Sequence, residues 1–247
     1  MKEVIFRFYE ELNDFLPENR KKVSFSYKFL GTPSVKDAIE AIGVPHVEVD
    51  LILVNGKSVG FEYALQNKDY VSVYPVFEML EISNVSHLRE KPLRNIRFIL
   101  DVHLGKLARY LRMLGFDTLY RNDYEDMEII SISIAEHRVI LTRDLGLLKV
   151  KTVTHGYFVR SQHPKVQLTE VLKHFDLYRS INPFSRCVKC NEELMMVLKD
   201  QIVNQLEPLT RQYFDEFYQC LGCSTIYWEG SHFDRMAEFI NSVKEEI

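Results

Sequence analysis

The run Ile96-Arg-Phe-Ile-Leu-Asp-Val-His-Leu-Gly-Lys-Leu-Ala-Arg-Tyr-Leu-Arg-Met-Leu-Gly-Phe-Asp117 decides how this chain is read. Residues 96–100 have the short, continuous apolar character of a buried strand. After them, Leu104, Leu107, Ala108, Leu111 and Leu114 recur at helical spacing and form one apolar stripe. Lys106, Arg109 and Arg112 recur every third residue and are expected on the opposite face. Asp101 stands at the junction, where the strand ends and the helix begins.

Working outward, strand-like and helix-like blocks alternate: Thr118–Tyr120, Met127–Glu136, Val139–Leu141, Tyr157–Val159 and Val166–Phe175. That order predicts a βαβαβ arrangement, an α/β/α layer structure on a parallel sheet. In such sheets ligands bind beyond the carboxyl ends of the strands, which draws attention to acids at those ends. Asp101 is one, and Asp144, after Val139-Ile-Leu-Thr-Arg143, is another. Between them the loop Asn122-Asp-Tyr-Glu-Asp126 delivers Asp123 and Asp126 ahead of a helix whose apolar residues include Met127, Ile130 and Ile134.

Carboxylates gathered at one edge repel one another unless protonated or neutralised, and hard oxygen donors select Mg²⁺ or Mn²⁺. Such an ion polarises a phosphoryl oxygen and lowers the pKa of water, which points to phosphodiester hydrolysis. A plainer reading stands beside it, since Asp is a common helix cap and each acid precedes a helix. Lys106, Arg109 and Arg112, with Arg143 at a strand end, suit a phosphate backbone or, equally, a solvated cationic face.

The amino-terminal third reads differently. An apolar segment Val4–Phe8 precedes a period-two run, Val23-Ser-Phe-Ser-Tyr-Lys-Phe29, as in a strand pair. Ser34, three residues before Asp37, is placed to cap a short helix ending near Gly43. Strands are expected at Val49–Val54 and Tyr70–Phe77, with Asn55-Gly56 as a tight turn. Strand, strand, helix, strand, strand is the order of the ubiquitin-like β-grasp fold. Leu51-Ile-Leu-Val-Asn-Gly56 and Asp69-Tyr-Val-Ser-Val-Tyr-Pro75 are similar to its sulfur-carrier branch. The chain continues past this segment, with no free terminal Gly-Gly there, so a docking or substrate-positioning module for a partner protein is expected. A polar linker is expected at 83–94.

All four cysteines lie in the last quarter, as Cys187-Val-Lys-Cys190 and Cys220-Leu-Gly-Cys223. Two such knuckles supply four thiolates to one tetrahedral ion, and zinc is expected. Paired disulfides are the alternative, with no export signal to favour them. Four thiolates leave no open coordination position, so this zinc is structural.

A content of 46% hydrophobic and 27% charged residues describes a globular chain and argues against disorder. No apolar run approaches the roughly 20 residues that cross a bilayer, so the expected setting is cytoplasmic, without a membrane. The net charge of −4 conceals an uneven distribution. Residues 87–180 hold 16 Lys and Arg against 11 Asp and Glu, a local +5 that attracts a polyanion if the charges share a face.

The words Leu100–Asp117, Ile140-Leu-Thr-Arg-Asp144, Arg186-Cys-Val-Lys-Cys-Asn191 and Cys223-Ser-Thr-Ile-Tyr-Trp-Glu-Gly-Ser-His232 together resemble the PIN-like RNases named for the Mut-seven carboxy-terminal RNase domain. The resemblance spans about residues 94–240, and a ubiquitin-like domain is a recurrent companion in that family. It implies a metal-dependent ribonuclease with a zinc ribbon, in which Asp101, Asp126 and Asp144 hold Mg or Mn, with Asp123 as substitute or helper. Cys187, Cys190, Cys220 and Cys223 hold zinc, and Lys106, Arg109, Arg112 and Arg143 hold RNA phosphates. Many PIN nucleases carry a fourth acid after a later strand, and Tyr157-Phe-Val-Arg-Ser-Gln162 offers none. The expected domains are a β-grasp over 1–82, a PIN-like domain over 94–180 and a zinc ribbon with a terminal helix over 181–247. Two other readings fit the same residues: an RNA-binding adaptor that keeps the scaffold without catalysis, and a DNA nuclease. The pair Tyr227-Trp228 suits the small core of the ribbon or stacking on bases.

Overall fold

The computed structural model describes residues 1–75, 96–228, 230, 238–239 and 241–242. The end of the strand expected to reach Phe77, the linker expected at 83–94 and His232 lie outside the described residues. In chain order the first elements are β1 (Lys2–Phe8), β2 (Phe25–Phe29), α1 (Val35–Ile42), β3 (Val49–Val54), β4 (Lys57–Ser58) and β5 (Tyr70–Pro75). Then come β6 (Phe98–Leu100), α2 (Gly105–Met113), β7 (Thr118–Leu119), α3 (Asp126–Glu136), β8 (Val139–Thr142), α4 (Leu145–Leu148), β9 (Gly156–Phe158) and α5 (Pro164–His174). The last are β10 (Leu194–Val197), α6 (Lys199–Ile202), α7 (Pro208–Tyr213), β11 (Phe217–Cys220) and β12 (Ile226–Trp228). Two compact units result: Met1–Asn95 with Asp126–Phe158, and Ile96–Glu125 with Val159–Ile247.

In the first unit, five strands form a sheet in the order β2-β1-β5-β3-β4, with β1 and β5 parallel at its centre. This is the β-grasp arrangement. Alternation in β1 sends Val4, Phe6 and Phe8 inward, where they meet Leu12, Ile39, Ile52 and Leu65. Ser34 caps α1 through a reciprocal box with Asp37, and Gly43 ends it at φ 126°. Asn55 and Gly56 both take positive φ, 51° and 79°, as the tight β3–β4 hairpin requires. A cap contributes about 1 kcal/mol and each fully buried large side chain about 1.5–3, so the inner face dominates the stability of this sheet.

The same unit contains the parallel pair β8–β9, with Ile140 opposite Gly156 and Thr142 opposite Phe158. Buried polar groups join this pair to the β-grasp. The Nε2 of His46 lies 2.8 Å from the Val153 carbonyl and its Nδ1 lies 2.6 Å from Glu40 Oε1. Glu48, also buried, accepts from the Phe158 amide at 2.5 Å, and Lys149 Nζ donates to the Glu40 carbonyl at 3.2 Å. In α3 the buried residues are Ile129, Ile130 and Ser133, while Met127 and Ile134 are 67% and 45% exposed. Of the three apolar residues singled out in this helix, Met127, Ile130 and Ile134, only Ile130 is buried. Apolar residues stand at 127, 129, 130, 132, 134 and 135 and so are spread around this helix, and periodicity alone did not fix which side the core would take.

In the second unit, β6 and β7 are parallel, Phe98 opposite Thr118 and Ile99 opposite Leu119. Leu104, Leu107, Ala108, Leu111 and Leu114 are all buried, as the stripe predicts. Phe98 packs edge-on against Phe175 at 5.6 Å between ring centroids. The carboxy-terminal sheet is antiparallel in the order β10-β11-β12, and its small core joins Phe217 to Ile202 and Leu206.

Candidate active site and metal centre

The strand β6 delivers Asp101 at its carboxyl end, 6% exposed and at the N-cap position of a single 3-10 turn, Val102–Leu104, that leads into α2. Its side chain makes no capping hydrogen bond to that turn, so helix capping does not account for this carboxylate. Asp144 differs. It follows β8, is exposed, and its Oδ1 accepts from the Gly146 amide at 2.7 Å, so this acid does cap α4. Its own amide donates to the Thr142 hydroxyl at 2.9 Å, which fixes the turn at the strand end. Asp126 is exposed in the first turn of α3, where the positive end of the helix dipole favours a carboxylate. Asp123 is exposed and paired with Arg121 at 2.9 Å, and the hydrogen bond from that guanidinium holds its carboxyl below the usual range. Asp101 and Asp123 belong to the second compact unit, Asp126 and Asp144 to the first.

Among the cations, Lys106 and Arg109 are exposed on α2 and Arg143 is half-buried after β8. Arg112 corrects the expectation for this helix. It is 5% exposed, its Nε donates to the Thr118 carbonyl at 2.8 Å, and one terminal nitrogen reaches the carbonyls of Val188 and Lys189 at 3.3 and 3.1 Å. The other lies 3.5 Å from the Tyr120 carbonyl. Residues three apart on a helix are about 300° apart, so a series at that spacing drifts by about 60° per step. By its third member the series has turned from solvent toward the Ala108 side of the apolar face. Backbone carbonyls therefore occupy the donors of Arg112 on the buried side of the helix.

The carbonyls of Val188 and Lys189 lie between the first two cysteines. The Sγ atoms of Cys187, Cys190, Cys220 and Cys223 all lie within 4.8 Å of one another. Cys187 and Cys223 are 3.6 Å apart and Cys190 and Cys220 are 3.3 Å apart, well beyond a disulfide bond of about 2.05 Å. A tetrahedral ion with bonds of about 2.3 Å spaces its sulfurs about 3.8 Å apart, so the donor set fits a structural zinc. The electrostatics agree. Burial pushes the Cys190 thiol up to about 12, with hydrogen bonds among the neighbouring thiols adding to the rise. Burial acts upward on Cys223 too, but hydrogen bonds from the Thr225 hydroxyl and amide and from the other thiols outweigh it and bring this group to about 6. Four clustered sulfurs do not all ionise together without a cation to balance them. The Tyr227 hydroxyl, 3.1 Å from Cys187 Sγ, supports this centre from behind, and burial followed by that thiol raises its pKa. Tyr227 is thus engaged with the knuckle, and Trp228, 36% exposed, lies opposite Phe217 across the ribbon sheet.

Residues flanking the knuckle, not singled out by chemistry in the sequence, fasten it to the β6–α2–β7 segment. Asn191 accepts from the Thr118 amide and donates to Asp117, both at 2.8 Å, while Arg186 lies 3.7 Å from the same carboxylate. Gly115 takes φ 92°, and a Cβ there would collide with the Asn182 carbonyl. The signal for these roles lay in the company they keep: Asn191 directly follows Cys190 of the first knuckle, and Gly115 directly follows the helix stripe.

Two family models match the chain. The one described as the Mut7-C RNAse domain covers residues 96–240, and the one described as Mut7-C ubiquitin covers residues 1–81. No curated protein and no solved structure matches it. The RNase match spans more than half of the chain and contains Asp101, Asp144 and the four cysteines. The chain therefore belongs to the Mut7-C RNAse domain family and carries, ahead of its nuclease-type domain, the ubiquitin-like domain described for that family.

Proposed function

We propose that this protein is a metal-dependent ribonuclease in which Asp101, Asp126 and Asp144 hold Mg²⁺ or Mn²⁺. The observation that carries the reading is Asp101, a buried carboxylate at a strand end whose side chain does not cap the following turn, within a domain of the RNase family. Carboxylate oxygens suit a hard divalent ion, which when bound polarises the scissile phosphate and lowers the pKa of water. Lys106, Arg109 and Arg143 meet the phosphate backbone and fix its register, a sequence-independent role. Asp123, held by Arg121, supports Asp126 from the adjoining loop. The β-grasp domain docks a partner protein or positions the substrate.

The test is cleavage of matched RNA and DNA oligonucleotides with Mg²⁺ or Mn²⁺ by the parent, Asp101→Asn and Asp144→Asn. Asn preserves the cap at position 144, so loss of cutting there is not loss of the helix. Both variants are expected to lose cleavage while keeping their thermal transitions. RNA binding that persists in EDTA without cleavage under either ion would favour the adaptor instead, and preference for the DNA strand would reassign the substrate.

A further inference from the structure

Within the second compact unit, side-chain hydrogen bonds lead from the cysteine knuckle to the loop that carries Asp101. Val188 and Lys189 are the two residues between Cys187 and Cys190, and their carbonyls accept from Arg112. Through its other nitrogens Arg112 holds the carbonyls of Thr118 and Tyr120. The Tyr120 hydroxyl donates to the carbonyl of Val102, at 3.0 Å, and Val102 is the residue after Asp101. Tyr120 also fills the space beside Gly105, where a Cβ would lie 2.6 Å from its hydroxyl oxygen. One planar, always charged group thus bridges the ligand loop and β7, and the residue beyond β7 bridges to the turn after β6.

The arrangement has a direction. A buried guanidinium does not tolerate lost acceptors, and a lysine in its place has no planar fork to reach carbonyls on two segments. The carbonyls of Val188 and Lys189 point at Arg112 only while the two-residue loop between the cysteines keeps its tight shape. A bound metal fixes that shape.

We propose that Arg112 and Tyr120 are positioning residues that pass the closed geometry of the Cys187–Cys190 knuckle to the Asp101 loop, so that a metal-filled ribbon is a condition for an ordered nuclease acid. The catalytic half of this inference rests on the reading of Asp101 given above. The physical half, the coupling itself, does not.

The experiment is site-resolved amide exchange on the full chain, before and after a chelator removes the ribbon metal, in the parent, Arg112→Lys and Tyr120→Phe. The amides of Leu104–Leu107 in the parent are expected to exchange about fivefold to tenfold faster after chelation, the size of one lost hydrogen bond. Tyr120→Phe, which removes a single hydroxyl, is expected to show that faster exchange already, with no further response at these amides to chelation. Amides of β1 and β5 should be unaffected in every form. In cleavage, Tyr120→Phe is expected to lower kcat about fivefold or more with KM unchanged, the signature of lost positioning. Equal exchange at Leu104–Leu107 with and without metal in the parent would overturn the coupling, and so would a full chelation response in Tyr120→Phe. If Arg112→Lys does not fold, Tyr120→Phe still decides the matter. If coupling is found but Asp101→Asn cuts as well as the parent, the catalytic half of the proposal is overturned and the coupling stands as a structural link.

Discussion

Replacing Gly115 with alanine should loosen the carboxy-terminal ribbon from its seat, and the size of the effect follows from the geometry. The position has φ 92°, a conformation that costs an ordinary L residue about 1–2 kcal/mol. The new Cβ would also strike the Asn182 carbonyl group and lie 2.5 Å from Ser185 Oγ. Backbone of that kind does not swing aside as a flexible side chain does. The 182–185 turn must shift, and with it go the hydrogen bond from the Asn182 amide to the Leu114 carbonyl, 2.9 Å, and the one from Ser185 to Asn182, 2.7 Å. At about 1 kcal/mol for each bond, the total loss is about 3 kcal/mol or somewhat more. The single tryptophan, Trp228, lies in this unit, so its fluorescence in a urea titration reports on the affected part. In a thermal scan the same loss corresponds to about 6–12 °C. Gly115→Asn supplies the internal control, because Asn tolerates positive φ but still carries a Cβ. It should be nearly as damaging as alanine. An asparagine variant within about 0.5 kcal/mol of the parent would refute the steric argument and leave only a conformational preference.

Metal analysis of reduced protein should find one zinc for each set of four cysteines, and its removal should shift Trp228 fluorescence while amide protection in β1 and β5 persists; protein free of zinc with an intact ribbon would remove the metal-centre assignment. His46 gives a pH dependence. Burial, then the Lys36 ammonium, lowers its pKa below 6.5, against the opposing pull of the Val153 carbonyl and the Glu40 carboxylate. The unfolded chain then binds the proton more tightly than the folded one. Stability of the first unit is therefore greatest above pH 6.5 and declines as the pH falls through 6.5 toward the lowered value. Ring titration by NMR checks the sign, and a midpoint above 6.5 would mean that the two acceptors outweigh burial.

Much of the molecule was legible in the sequence because its signals are local. The Ser34 box, the Asn55-Gly56 turn, the Leu104–Leu114 stripe and the paired cysteine knuckles each depend on residues within a few positions of one another. Over such distances helix period, cap chemistry and turn geometry leave few alternatives. Where apolar and polar residues alternate around the whole helix, as on α3, the same rules admitted more than one orientation, and packing against the rest of the unit chose Ile129, Ile130 and Ser133.

Arg112 marks the boundary between the two kinds of information. By itself the sequence determined that a cation recurs along α2, that the four cysteines stand in two matched pairs and that acids follow the strands. It did not determine which cation faces solvent, because two of the four carbonyls that Arg112 meets belong to residues 76 and 77 positions away. Asn191 meets the Thr118 amide across 73 positions in the same way. Only the tertiary structure brings those carbonyls and amides within hydrogen-bond reach. Once a polar group is buried, satisfying it decides its role more strongly than its place in a sequence pattern.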